Sequence, residues 1–196
     1  HDQPHADRGL FESMRLKLQE VASKQYQKAQ RIERRAKEMA SGNARTQAAR
    51  SKVKLELRKR LKDALLPASI TKFLVQEWQK VMLLTYLKHG ENSAEWLETL
   101  QLVDDLIWSV RNHPDEKSKN RRIKLLPTLR VNLRKGLCKT VTNEADMEAI
   151  IAVVDQIHDA LTRGQVDDVH YDPLKPDQQA ALKEPEEQKS WKEMSA

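Results

Sequence analysis

The sequence predicts an all-α protein: a bundle of about five to six helices with an N-terminal helical arm and an acidic tail, disordered or loosely docked. Three observations carry that expectation. Apolar residues recur at helical spacing along most of the chain, and no alternating β-branched run bounded by turns is present, so strands are not expected. Good helix formers dominate, and the 196 residues include only 5 Gly. The segment 70–88, ITKFLVQEWQKVMLLTYLK, is apolar on almost every side from Val81 to Leu87, which marks a buried central helix. That run is far short of the roughly 20 apolar residues that a membrane span needs.

In chain order, residues 1–41 form the arm, 42–164 the bundle and 165–196 an acidic, proline-containing tail or linker. Along the arm, Met14, Leu18, Val21, Ala22, Ala29, Ile32, Ala36 and Met39 follow helical spacing, but a strict heptad seam fails at Gln25, Lys28 and Arg35. Ser41-Gly42-Asn43 reads as a break. A second helix then runs to about Leu65 with Val53, Leu57, Leu61, Ala64 and Leu65 on one side, and Leu66-Pro67 stops it. Pro67 or Ser69 opens the central helix, and Gly90 closes it. Asn92 or Ser93 caps the next helix, which ends near Ser109. Its stripe is Trp96, Leu100, Val103 and Ile107, flanked by Leu97 and Trp108. The expected structural core is Trp78, Leu84, Trp96, Ile107 and Trp108.

Residues 111–122 read as a charged connection, after which Pro127 starts or kinks a helix carrying Leu126, Leu129, Leu133 and Leu137. Gly136 on this face admits a close neighbour or marks a helix end. Thr142 or Asn143 caps the last helix, whose face is Met147, Ile150, Ile151, Val154, Ile157 and Leu161; Gly164 ends it. In the tail, Trp191 and Met194 are the late apolar anchors.

Charge alternates in blocks. Residues 1–66 hold 17 basic and 8 acidic residues, 67–110 hold 3 and 6, 111–140 hold 10 and 2, and 141–196 hold 5 and 13. Pairing within the molecule is the plain explanation; a basic surface for nucleic acid or another polyanion is the sharper one. That surface would be built from Lys54, Arg58, Arg60 and Lys62 on one helix and Arg121, Arg122 and Lys124 on another. Base-stacking aromatics are not interleaved with either patch.

Motifs for catalysis are incomplete. There is no phosphate-cradling glycine loop and no nucleophile elbow. Among the histidines only His1 and His5 share an i, i+4 spacing, across Pro4, and one cysteine, Cys138, supports no zinc cluster and fits a reducing compartment. Two polar residues fall on apolar faces and are expected to be buried. Asp104 lies between Leu97 and Trp108, either as a structural acid paired with a base from the 121–139 block or as a ligand-binding or catalytic acid. His158 lies mid-stripe between Val154 and Leu161, either as a satisfied core histidine or in a pH-sensitive or ligand-contacting role. No cofactor or metal is expected, and the chain is not read as an enzyme.

The residues around the central helix carry a resemblance. Leu66-Pro67, Phe73-Leu74, Trp78, Leu83-Leu84, Leu87, His89-Gly90, Ser93, Trp96, Asp104-Asp105-Leu106-Ile107-Trp108-Ser109 and Leu125-Leu126-Pro127 resemble a proteobacterial family of unknown function. The likeness covers about residues 45–164. The resemblance implies a large, mostly helical cytoplasmic protein with a PilZ-like region near its C-terminus, and so a link to cyclic di-GMP signalling. Some members have been called thymidine phosphorylases, a chemistry for which the chain holds no motif. The PilZ arginine and D/N-x-S-x-x-G signature are absent from these residues. The chain begins with histidine, as a piece of a longer or processed protein would. The expected role is a non-enzymatic regulatory or scaffolding module that contacts protein partners or other domains of its own polypeptide, with a homodimer through the arm as one form. The alternative is a polyanion binder, for nucleic acid or a nucleotide second messenger.

Overall fold

The computed structural model describes residues 4–113, 115–165 and 169–182, with side chains from Ser13 onward. The chain is all-α, and it divides into two compact units, His1–Gln47 and Ala48–Ala196. Helix α1, Pro4–Leu61, supplies the described part of the first unit and the opening of the second. Ser41-Gly42-Asn43 does not interrupt it. One interior glycine costs a helix only about 1 kcal/mol, and strong helix formers on both sides outweigh that cost. A Cβ at Gly42 would meet nothing within 4 Å.

In the second unit, α1 buries Ala49, Val53, Leu57 and Leu61. The helix stops at Leu61, earlier than the apolar spacing suggests, and Leu65 is left exposed. The central element is continuous from α2, Ala68–Phe73, through a π-helical turn, Leu74–Trp78, into α3, Gln79–His89. The π turn inserts a residue and rotates the apolar stripe. That rotation lets Phe73, Leu74, Val75 and Trp78 share a core with Val81, Met82 and Thr85. Gly90, at φ 86°, closes α3, its N–H bonding to Tyr86 O. The sequence reading that α3 is buried all round is corrected at Leu84, which is 41% exposed. The buried face of α3 is narrower than its apolar face, and single exposed leucines are ordinary.

Helix α4, Ala94–Ser109, is capped by Ser93, whose hydroxyl accepts from the Trp96 N–H at 3.1 Å. It packs on α3 and on α5, Glu116–Leu137, which in turn packs on α6, Glu144–Thr162. Trp96 and Ile107 are buried, but Trp108 is only half-buried. The connection expected over 111–122 is mostly helix. Asp115 caps α5 through the Ser118 N–H at 2.8 Å, and the helix runs through Pro127 rather than starting there. Asn143 caps α6, and Gly164, at φ 78°, follows it.

Part of the expected loose tail is ordered. Tyr171–Asp172 (β2) pairs antiparallel with Leu66–Pro67 (β1), and α7, Pro176–Leu182, packs on the π turn. Val169 and Leu182 are buried. Trp191 and Met194 lie outside the described residues.

Gly136 sits under the Trp78 ring. A Cβ there would lie 2.7 Å from Trp78 Cζ3 and closer still to Cη2. Two glycine substitutions therefore have opposite signs. Gly136→Ala lowers global stability by about 1–3 kcal/mol in urea unfolding, because Trp78 must move. Gly42→Ala stabilises α1 locally by about 0.5–1 kcal/mol, read as slower amide exchange around residue 42.

Candidate functional site

The last carbonyls of a helix have no partner within it, so a buried helix end must import donors. The C-terminus of α4 gathers side-chain donors from its own last turn and from three other segments, two of them on carbonyls that also accept backbone N–H groups, Val110 N–H on Leu106 O and Arg111 N–H on Trp108 O. The Ser109 hydroxyl donates to Leu106 O at 2.8 Å. The His113 ring Nε2 meets Trp108 O at 3.1 Å. Tyr171 OH, from β2, donates to Val110 O at 2.8 Å. Arg122, from α5, donates through Nη2 to Arg111 O at 2.7 Å. Arg122 is only 3% exposed, and no carboxylate pairs with it among the described residues. The negative end of the α4 dipole and the carbonyl it contacts supply the compensating charge.

His158, from α6, is 4% exposed and lies 2.9 Å from Ser109 Oγ. The single hydroxyl hydrogen of Ser109 is directed at Leu106 O, so the His158 Nε2–H is the donor in that pair. The imidazole is pushed down to about 4, first by burial and then by the Arg122 guanidinium, against the opposing pull of Asp159. It is therefore neutral at pH 7. Burial also raises the Tyr171 phenol, and Arg122 works against that rise.

Chemically, this is a locked hub and not a nucleophile. Ser109 is 0% exposed and gives its proton to a carbonyl, not to the imidazole. A groove of about 530 Å³ runs between α5 and α6 past His158, with a floor of Leu126, Leu129, Ile151 and Val154 and an Arg130–Asp155 ion pair at 3.2 Å.

Of the two residues expected to be buried, His158 is, and Asp104 is not. Asp104 is 46% exposed and pairs with Arg60 of α1 at 2.9 Å, not with a base from 121–139. The buried arc of α4 turns toward Leu102, Leu106 and Ser109, on the opposite flank from Leu97. At about 100° per residue, that turn moves Asp104 to the rim.

Three of the seven residues of the expected basic surface, Arg58, Arg60 and Arg122, are committed inward. Arg58 donates to Leu182 O; Arg60 donates to Glu56 through Nη1 and forms an ion pair with Asp104. Burial alone would raise the Glu56 carboxyl, but hydrogen bonds from Arg60 and Lys59 outweigh it and hold the group below its usual range. Arg122 is in the hub, a correction to its reading as a surface cation, because the α5 helix begins early enough to turn it inward. Arg121 lies over the Trp108 ring, 4.2 Å from its centroid, and His113 stacks on the same ring at 4.8 Å. Lys62 and Lys124 are exposed, and Lys54 is half-buried. Ser109, Arg111 and Tyr171 were not signalled by the sequence, since a carbonyl's need for a donor leaves no mark on residue type.

Among the described residues no three His, Cys, Asp or Glu side chains group as a metal site, and no helix is long and apolar enough to cross a membrane. The His1–His5 pair lies outside the described side chains. Cys138 is exposed, with its thiol toward Met147 Sδ at 3.5 Å.

Fold and hub together define an all-α bundle domain held by buried polar contacts at one helix end. The chain belongs to the family described as protein of unknown function (DUF1631), third domain, whose model matches residues 39–155. That match bears out the resemblance at the level of a family of unknown function. Neither a curated protein nor a solved structure matches the chain.

The hub makes stability pH-dependent. The His158 imidazole is lowered in the fold from an ordinary value near 6.5. Between these values the unfolded chain binds the extra proton, so stability is full above about pH 6.5 and falls as pH drops toward about 4, by up to roughly 3 kcal/mol. His158→Gln keeps a donor for Ser109 but does not titrate. The gap between wild type and variant in urea-unfolding free energy should therefore shift in the variant's favour from about pH 7 to about pH 4.5. A constant gap would show that His158 is not the group responsible.

Proposed function

We propose that this chain is a non-enzymatic regulatory or scaffolding module of a larger bacterial signalling protein, working in the cytoplasm through protein–protein contacts. The family resemblance supports a link to cyclic di-GMP pathways. One observation carries the contact reading. In the first unit, Met14, Leu18, Val21, Ile32 and Met39 lie along one side of α1 and are between 53% and 70% exposed. A helix with an uncovered apolar row is a surface for another helix. The non-enzymatic reading is supported by the burial of Ser109 and by the ion pair that occupies Asp104.

The double variant Leu18→Asp/Ile32→Asp tests it. Both residues are exposed, so the thermal midpoint should stay within the small range of surface changes. Proteins retained by the wild-type chain in a pull-down should be lost. Retention of the same proteins by the variant would move the contact surface elsewhere.

A second reading, polyanion binding, is favoured by Arg121, an exposed guanidinium held over the Trp108 ring, with Lys124 exposed on the same helix. It predicts DNA or RNA binding that weakens steeply with salt and is lost in Arg121→Glu/Lys124→Glu. No binding at low salt removes this reading.

A further inference from the structure

We propose that the arm pairs antiparallel with the arm of a second copy, in the register that sets Val21 of one chain against Ile32 of the other. This rests on the reading of the arm as a protein-contact surface and names its occupant. The argument begins with the seam at coiled-coil spacing: Met14, Leu18, Val21, Gln25, Lys28, Ile32, Arg35 and Met39. In a parallel, in-register pair each seam residue meets its own copy. Lys28 would face Lys28 and Arg35 would face Arg35, two like-charge layers within the interface.

Reversing one helix changes every layer. With Val21 opposite Ile32, Met14 falls opposite Met39, Leu18 opposite Arg35, and Gln25 opposite Lys28. No like charges meet in the seam. The apolar residues pair with each other at both ends, and the stem of Arg35 covers Leu18 while its head reaches water. The interface is self-complementary, as a two-fold contact must be. The residues beside the seam agree. Ala22, Ala29 and Ala36 recur every seventh position along one edge, and in this register Ala22 lies opposite Ala29 of the other chain, where small side chains let the backbones approach. On the other edge Lys17 lies opposite Glu38 and Lys24 opposite Arg31. These attractive and repulsive pairs are exposed and cancel to first order, which leaves the seam to decide.

Charge sets the salt dependence. Residues 13–47 hold 9 basic and 3 acidic residues, and the acids Glu20, Glu33 and Glu38 already pair along their own helix with Lys24, Lys37 and Arg34. Two such arms repel at long range, and salt screens that repulsion. Self-association therefore strengthens as salt rises. Binding of an acidic helix or an anionic membrane would weaken.

The test uses the full chain with Cys138→Ser. Sedimentation equilibrium at low and high salt should give a monomer–dimer equilibrium that shifts toward dimer with salt. Val21→Glu/Ile32→Glu should raise the dissociation constant roughly 100-fold or more. Under mild oxidation, Val21→Cys and Ile32→Cys chains should form a disulfide when mixed, and neither should cross-link to itself. Self-cross-linking of either single variant, a monomer at every salt concentration, or a dimer that dissociates as salt rises would each overturn the proposal. The broader contact reading fails separately: it falls if Leu18→Asp/Ile32→Asp keeps its partners, whatever the arm's oligomeric state.

Discussion

The bundle depends on how the end of α4 is closed. A helix that stops inside a core leaves carbonyl oxygens that water cannot reach, and each one left bare costs a substantial part of the stability of a small domain. Here Tyr171 and Arg122 supply donors to Val110 O and Arg111 O, while Ser109 and His113 add to the backbone bonds already made to Leu106 O and Trp108 O. Because those donors come from α4, the following loop, α5 and β2, the end of one helix fixes the positions of the others. His158 adds α6 through Ser109. This arrangement explains why a guanidinium can be buried without a carboxylate among the described residues, and why the neighbouring imidazole stays neutral.

Packing around Trp78 sets the second constraint. The π turn brings the indole into the core, and Gly136 leaves room for its ring. Neither feature works without the other. A regular helix would carry Trp78 to another face, and a side chain at 136 would push the ring away. The indole N–H has no partner among the described residues, so the gain from this contact is one of shape and apolar area.

Local chemistry made much of the architecture legible. Gly90, Ser93, Asn143 and Gly164 act on neighbours a few residues away, and the structure places each where spacing and residue type suggest. Helical phase and distant pairing were not legible. Asp104 and Leu84 lie on faces that look apolar in projection, but which part of such a face is covered depends on where the next helix lies. Arg122 looked like a surface cation because the sequence cannot show that a helix end several turns away needs its N–H groups. Ser41-Gly42-Asn43 looked like a boundary because propensity was weighed without the long helix around it.

The order of the segment 169–182 bears on how the domain can be cut. The family match stops at Asp155, inside α6, upstream of His158 and of β2. A fragment trimmed to that boundary would keep Ser109 and Arg122 while discarding the imidazole and phenol that complete their network. It would also uncover the apolar bed beneath Leu182. The smallest piece that retains every described contact of the bundle therefore reaches Leu182, well past the end of the family match.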